Sequence, residues 1–259
     1  MKLFNNFTLV LCFAFAAQAH AAINPGSDYD QGGELILSVW DNSTSTSYTL
    51  DLGIDTREFD SERTYVYDLS ADENWIQFFA NADSTQWDVA GSHLNSTPYP
   101  GVSAYEFMTT ARIGEDTSVF AVQLSTYENL RSALDIYTNY LNGVHGPENG
   151  FAYDFSYFLS GTNYVGSTDT WGSFAGIINF ATAGYGESMD FWHLTTTIDS
   201  PECSHRCSTP NHTKLAGTWT LSDNQLIYTT AAPVPVPAAV WLFGSALAGL
   251  VGISRRRRK

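Results

Sequence analysis

The chain reads as a mainly β protein. The expected fold is an antiparallel β-sandwich or a related layered sheet, with one amphipathic helix packed on it and a single transmembrane helix at the C-terminus. Three observations predict this. Several short segments alternate apolar and polar residues with period two, which describes half-buried antiparallel strands. One longer segment places its apolar residues at helical spacing. The chain ends in an apolar run followed by five cations, Arg255, Arg256, Arg257, Arg258 and Lys259.

The elements follow in chain order. Residues 34–40 are the first strand candidate. Residues 47–52 set Tyr48, Leu50 and Leu52 against Thr49 and Asp51. Residues 63–69 repeat the pattern with Tyr65, Tyr67 and Leu69. Ser70 and Glu73 have the spacing of a capping box, and Trp75, Ile76 and Phe79 follow, so a short helix is predicted there. Ser125 and Glu128 repeat that signal before Tyr127, Leu130, Leu134, Tyr137 and Leu141, which share one helical face. Arg131 and Asp135 can pair on the outer face, and Asn142-Gly143 with Gly146-Pro147 ends the helix. Residues 151–159 put Phe151, Tyr153, Phe155, Tyr157 and Leu159 on one side of a strand. A hairpin over 218–229, turning at Ser222, Asp223 and Asn224, closes the body. The chain has no repeat at a fixed period, which argues against propellers and solenoids.

Both ends carry addressing signals. Lys2, an apolar run over 7–17 and Ala19-His20-Ala21 form a secretory signal peptide over 1–21. Residues 22–233 are then an exported β-rich domain, long enough for one real core. At the other end, the apolar stretch 238–253 is about 24 Å long as a helix, short of the roughly 30 Å hydrocarbon core. A helix over 238–254 is therefore a marginal membrane span. The terminal cations hold their side in the cytoplasm and leave the body outside.

The start of that segment reads Val234-Pro235-Val236-Pro237-Ala238, followed by Ala239, Val240, Trp241 and Leu242. It resembles the PEP-CTERM sorting signal of exported Gram-negative bacterial proteins, in the variant written Val-Pro-Leu-Pro-Ala. The Glu of the commonest form is replaced by Val236. The resemblance implies processing by an exosortase, a membrane enzyme of the transpeptidase type. It also implies passage through the inner membrane, a membrane-anchored precursor, and association with exopolysaccharide or biofilm matrix. It covers only the C-terminal segment and carries no activity for the body.

Composition narrows the partners. The chain has 12 basic and 27 acidic residues and a net charge of −15. Half of the basic residues lie in the two terminal signals and none of the acidic ones do, so the body is more acidic still. Nucleic acid and anionic membrane surfaces would repel it. Of three cysteines, Cys12 leaves with the signal peptide. Cys203 and Cys207 are expected to pair in an oxidising compartment, restraining a polar insertion over 200–213. The competing metal site, Cys203, His205, Cys207 and His212, lacks the usual zinc spacing.

No catalytic signature is present. His93, His145, His193, His205 and His212 fall in separate segments, with His145, His205 and His212 in apparent loops. Asp28 and Asp30 open a Gly-containing stretch that lacks the closing Glu of a calcium loop, and it reads as a solvated turn. The expectation is a non-enzymatic protein with neither cofactor nor metal. The alternatives are a glycan-binding module or a polysaccharide hydrolase. The first would stack sugars on exposed rings among Trp40, Trp75, Trp87, Trp171, Trp192 and Trp219, although filling a β core is the commoner use of such rings. The second needs two carboxylates facing each other across a cleft.

Overall fold

Alternation of apolar side chains along the chain produces one large sheet. The computed structural model describes residues 23, 32–94, 103–115, 134, 138, 141, 156–160, 181–198 and 208–230. In order the elements are β1 (Glu34–Asp41), β2 (Thr46–Asp55), β3 (Tyr65–Asp68), α1 (Glu73–Phe79), β4 (Thr85–Leu94), β5 (Ser103–Arg112), β6 (Ser156–Ser160), β7 (Ala183–Gly184), β8 (Ser188–Ile198), β9 (Ser208–Ser222) and β10 (Gln225–Thr230). The strands join in one 10-stranded sheet in the order β3-β10-β9-β8-β5-β4-β1-β2-β6, with β7 added on β4. Every pairing is antiparallel.

The sandwich expectation is thus corrected to a single curled sheet. Curling brings residues of distant strands into one inner core. Leu35, Leu37 and Val39 of β1 and Tyr48 and Leu50 of β2 share it with Trp219 of β9 and Tyr228 of β10. The intervening residues of β1, Ile36 and Trp40, point the other way into an outer core with Phe107, Tyr157 and Leu159. Leu134 and Leu141, both helical, cover that outer face, as two members of the predicted amphipathic stripe. Apart from Thr138, the rest of that predicted helix lies outside the described residues.

Local chemistry sets the element ends. The expected cap Ser70 does not cap α1; Asp72 does, accepting from the Asn74 amide at 2.9 Å and the Trp75 amide at 3.1 Å. The Ser70 amide instead donates to Asp68 Oδ1 at 2.9 Å, which places Ser70 in the turn before the helix. The Asp72 carboxylate also accepts from Tyr48 Oη and Ser156 Oγ, both at 2.9 Å, and so ties α1 to β2 and β6. In the terminal hairpin the turn has two residues. Asp223 (φ 51°) and Asn224 (φ 58°) adopt the left-handed conformation of a type I′ turn, and Ser222 remains in the ladder opposite Gln225. Close packing explains Gly217: a side chain there would run into the Tyr228 ring, and its amide donates to Tyr228 Oη at 3.0 Å.

β9 is longer than the hairpin pattern suggests. It begins at Ser208, so Ser208 to Thr213 pair with β8 instead of forming the polar insertion, and His212 sits in a strand. Lys214 reaches back across the pair to Asp190 Oδ2 at 2.7 Å. Asp190 is buried and the lysine is half-exposed. Replacing Lys214 with Met leaves a buried carboxylate uncompensated and is expected to cost about 2 kcal/mol. Urea unfolding of Lys214→Met against Lys214→Met with Asp190→Asn checks this: the double variant should regain part of the loss. Equal midpoints for wild type and Lys214→Met would show the pair to be energetically idle.

Candidate functional site

One region of the inner face is polar. β4, β5 and β8 are neighbours, so His93 stands opposite Glu106, and Glu106 stands opposite Thr195. His193, two residues before Thr195, is on the same face diagonal to Glu106. Its Nε2 lies 2.9 Å from Glu106 Oε2. His93 is buried, whereas His193 and Glu106 are each partly open to solvent.

The end of β2 supplies a second charge pair. Asp55 accepts from Arg57 Nη2 at 2.7 Å, from Nε at 3.1 Å and from the Arg57 amide at 2.8 Å. Burial pushes the Asp55 carboxyl up, but the Arg57 hydrogen bonds and charge, with His93 nearby, outweigh it and hold the group below its ordinary value. Gly32 bridges to His93 and lies against this carboxylate, where any larger residue would overlap it.

Residues 56–61 then fold back over β5, β8 and β9. Phe59 anchors them, with its ring 5.1 Å from Tyr228, 5.2 Å from Phe191 and 5.3 Å from Tyr65. A cleft of about 310 Å³ remains beneath, lined by Thr56, Arg57, Phe59, Ser61, Glu106, Met108, His193 and Leu215. Its apolar surface comes from Phe59, Met108 and Leu215, and its polar walls carry Arg57, which pairs with Asp55 beside the cleft, and the hydrogen-bonded Glu106 and His193. Arg57 thus holds Asp55 ionised. Among the described residues no three His, Cys, Asp or Glu side chains gather to hold a metal.

The residues singled out in the sequence fall as follows. Val234, Pro235, Val236, Pro237, Ala238, the cations Arg255 to Lys259, and Cys203 and Cys207 lie outside the described residues. So do His145, His205 and Trp171. Trp40, Trp75, Trp87 and Trp219 are buried and fill the two cores. Trp192 is partly buried beside His212, ring centroids 5.7 Å apart. No exposed pair of Trp rings for stacking a sugar occurs among the described residues. Sequence reasoning missed Glu106, Arg57 and Phe59 altogether. The Asp55–Arg57 spacing after a strand was the one local signal for this region. No helix among the described residues is long and apolar enough to cross a membrane.

No family model matches the chain, and no curated protein or solved structure is similar to it.

Proposed function

We propose that the chain is an exported cell-envelope or extracellular-matrix protein, sorted and processed by an exosortase, that performs no catalysis of its own. The observation that carries this is the order of the C-terminal segment. A proline motif at Val234 to Ala238 meets an apolar run and then five cations, at the opposite end from a cleavable signal peptide. That order halts translocation with the acidic body on the far side of the inner membrane. Among the described residues the last strand, β10, ends at Thr230, before the motif begins. Exopolysaccharide is the partner that the resemblance implies.

The test is deletion of residues 234–259. The truncated body is expected to fold, with an unchanged far-ultraviolet spectrum, and to leave the membrane fraction. Intact mass of the full-length form, from cells with and without the exosortase, should differ by removal of the tail. Retention of the truncated form in the membrane fraction would remove the proposal.

A further inference from the structure

We propose that the cleft beneath residues 56–61 binds one neutral sugar residue. This inference stands on the cleft alone and is independent of the sorting route. At about 310 Å³ the cleft is at the small end of ligand pockets, the size for one ring and not for a drug-sized molecule. Its chemistry selects the class of ligand. The two anions in and beside it, Glu106 and Asp55, each face a basic partner, His193 and Arg57. Each carboxylate is already engaged, Asp55 by Arg57 and Glu106 by His193, so a charged ligand would have to break into one of these pairs. An apolar ligand would take Arg57, Ser61, Glu106 and His193 out of water with nothing to replace it.

A sugar fits both surfaces. Its C–H faces match the apolar surfaces of Phe59 above and of Met108 and Leu215 below. Its hydroxyls both donate and accept, as the walls require. A carboxylate offers about four lone-pair directions, so Glu106, partly open to solvent, can take a sugar hydroxyl beside the partners it already has. Arg57 and His193 carry N–H groups on the facing wall, and the Ser61 hydroxyl can donate or accept. The buried Tyr rings and Trp indoles elsewhere play no part. This is recognition by a polar pocket instead of by an exposed aromatic platform.

The test uses the full chain in micelles of a zwitterionic detergent, which carries no sugar headgroup. Methyl β-glucoside, methyl β-galactoside and methyl β-mannoside are the neutral probes; glucuronate and glucosamine are the charged comparators. Saturation transfer reports contact, and the His193 ring resonances report place. At least one neutral glycoside is expected to receive saturation and to shift the His193 ring. Glu106→Ala should weaken it by about tenfold, the worth of one hydrogen bond to a charged group. Leu215→Trp should abolish it by filling the cleft while keeping every polar wall, and it decides the matter if Glu106→Ala fails to fold. Val66→Ser, at an exposed position on β3, should bind as the wild type does. The proposal is overturned by no transfer to any neutral glycoside, by tighter binding of a charged comparator, by transfer that leaves the His193 ring unmoved, or by undiminished binding in Leu215→Trp.

Discussion

Asp41→Ala is expected to lower the unfolding free energy by about 3 kcal/mol, read as a drop in the urea midpoint at neutral pH. Asp41 ends β1 and is fully buried. Its Oδ1 accepts from the Ser43 amide at 2.7 Å, the Ser43 hydroxyl at 2.6 Å and the Thr44 amide at 3.3 Å. Its Oδ2 accepts from the Asp83 amide at 2.6 Å and the Ser84 amide at 2.8 Å. One carboxylate therefore fastens the β1–β2 turn to the α1–β4 connection. Ser43, Asp83 and Ser84 are themselves exposed, so water takes over part of what alanine abandons. That is why the expected loss is well below the sum over five bonds. Asp41→Asn keeps one accepting oxygen and should lose about half as much. An Asp41→Ala midpoint equal to wild type would mean that these turns hold their shape unaided.

The same group makes stability depend on acid. Burial pushes the Asp41 carboxyl up, but the Ser43 hydroxyl and the amides of Ser84, Asp83 and Ser43 more than offset this and bring it from an ordinary 3.8 to about 2. As pH falls, the unfolded chain takes up this proton before the folded one does. The contribution is full above about pH 4 and drains away between about pH 4 and about pH 2. Melting temperature followed over that interval should fall more steeply in wild type than in Asp41→Asn, which has no proton to bind there.

The parts of the fold that were legible in the sequence are those where apolar and polar residues alternate between the two sides of a strand. Tyr48, Leu50 and Leu52 alternate visibly because they enter the inner core while the residues on the other side, Ser47, Thr49 and Asp51, are polar although they too are buried. The hairpin of β9 and β10 shows the same contrast. β4, β5 and β8 gave no such signal. They are central strands covered on both faces, and they bury polar residues: Asp88, Ser92, Thr109, Thr110 and Asp190 are all buried. Period-two reading has nothing to count there. The candidate site was hidden for the same reason. His93, Glu106 and His193 come from those three strands, and they meet only because the sheet orders β4 beside β5 beside β8. That order is a long-range property that no local pattern encodes. The stripe predicted over 125–141 shows the converse: its pattern is local, and its described members Leu134 and Leu141 are helical and buried as the spacing requires.

Trp75→Ala is expected to cost about 4 kcal/mol, the range for removing a buried aromatic ring. Trp75 is 1% exposed and sits where α1 meets the inner core. Its ring meets Tyr48 edge-on at 5.1 Å and packs on Phe79 at 4.7 Å. Its Nε1 donates to Asn224 Oδ1 at 3.0 Å, a partner 149 residues away in sequence. Asn224 in turn accepts from the Leu69 amide at 2.8 Å, and its own amide donates to Tyr185 Oη at 2.9 Å. One indole thus links α1, the approach to α1 and the turn of the last hairpin. Trp75→Phe keeps most of the ring packing and loses only the Asn224 bond. Asn224 is exposed and can turn to water, so this variant should lose about 1 kcal/mol. Ile76, the next residue, is 52% exposed, and Ile76→Ser should leave the urea midpoint nearly unchanged. Amide exchange separates a lost core contact from a lost link. In Trp75→Ala, protection of β10 should fall together with that of α1. Loss confined to α1 would mean that the hairpin closes without the helix, and that Trp75 merely fills space.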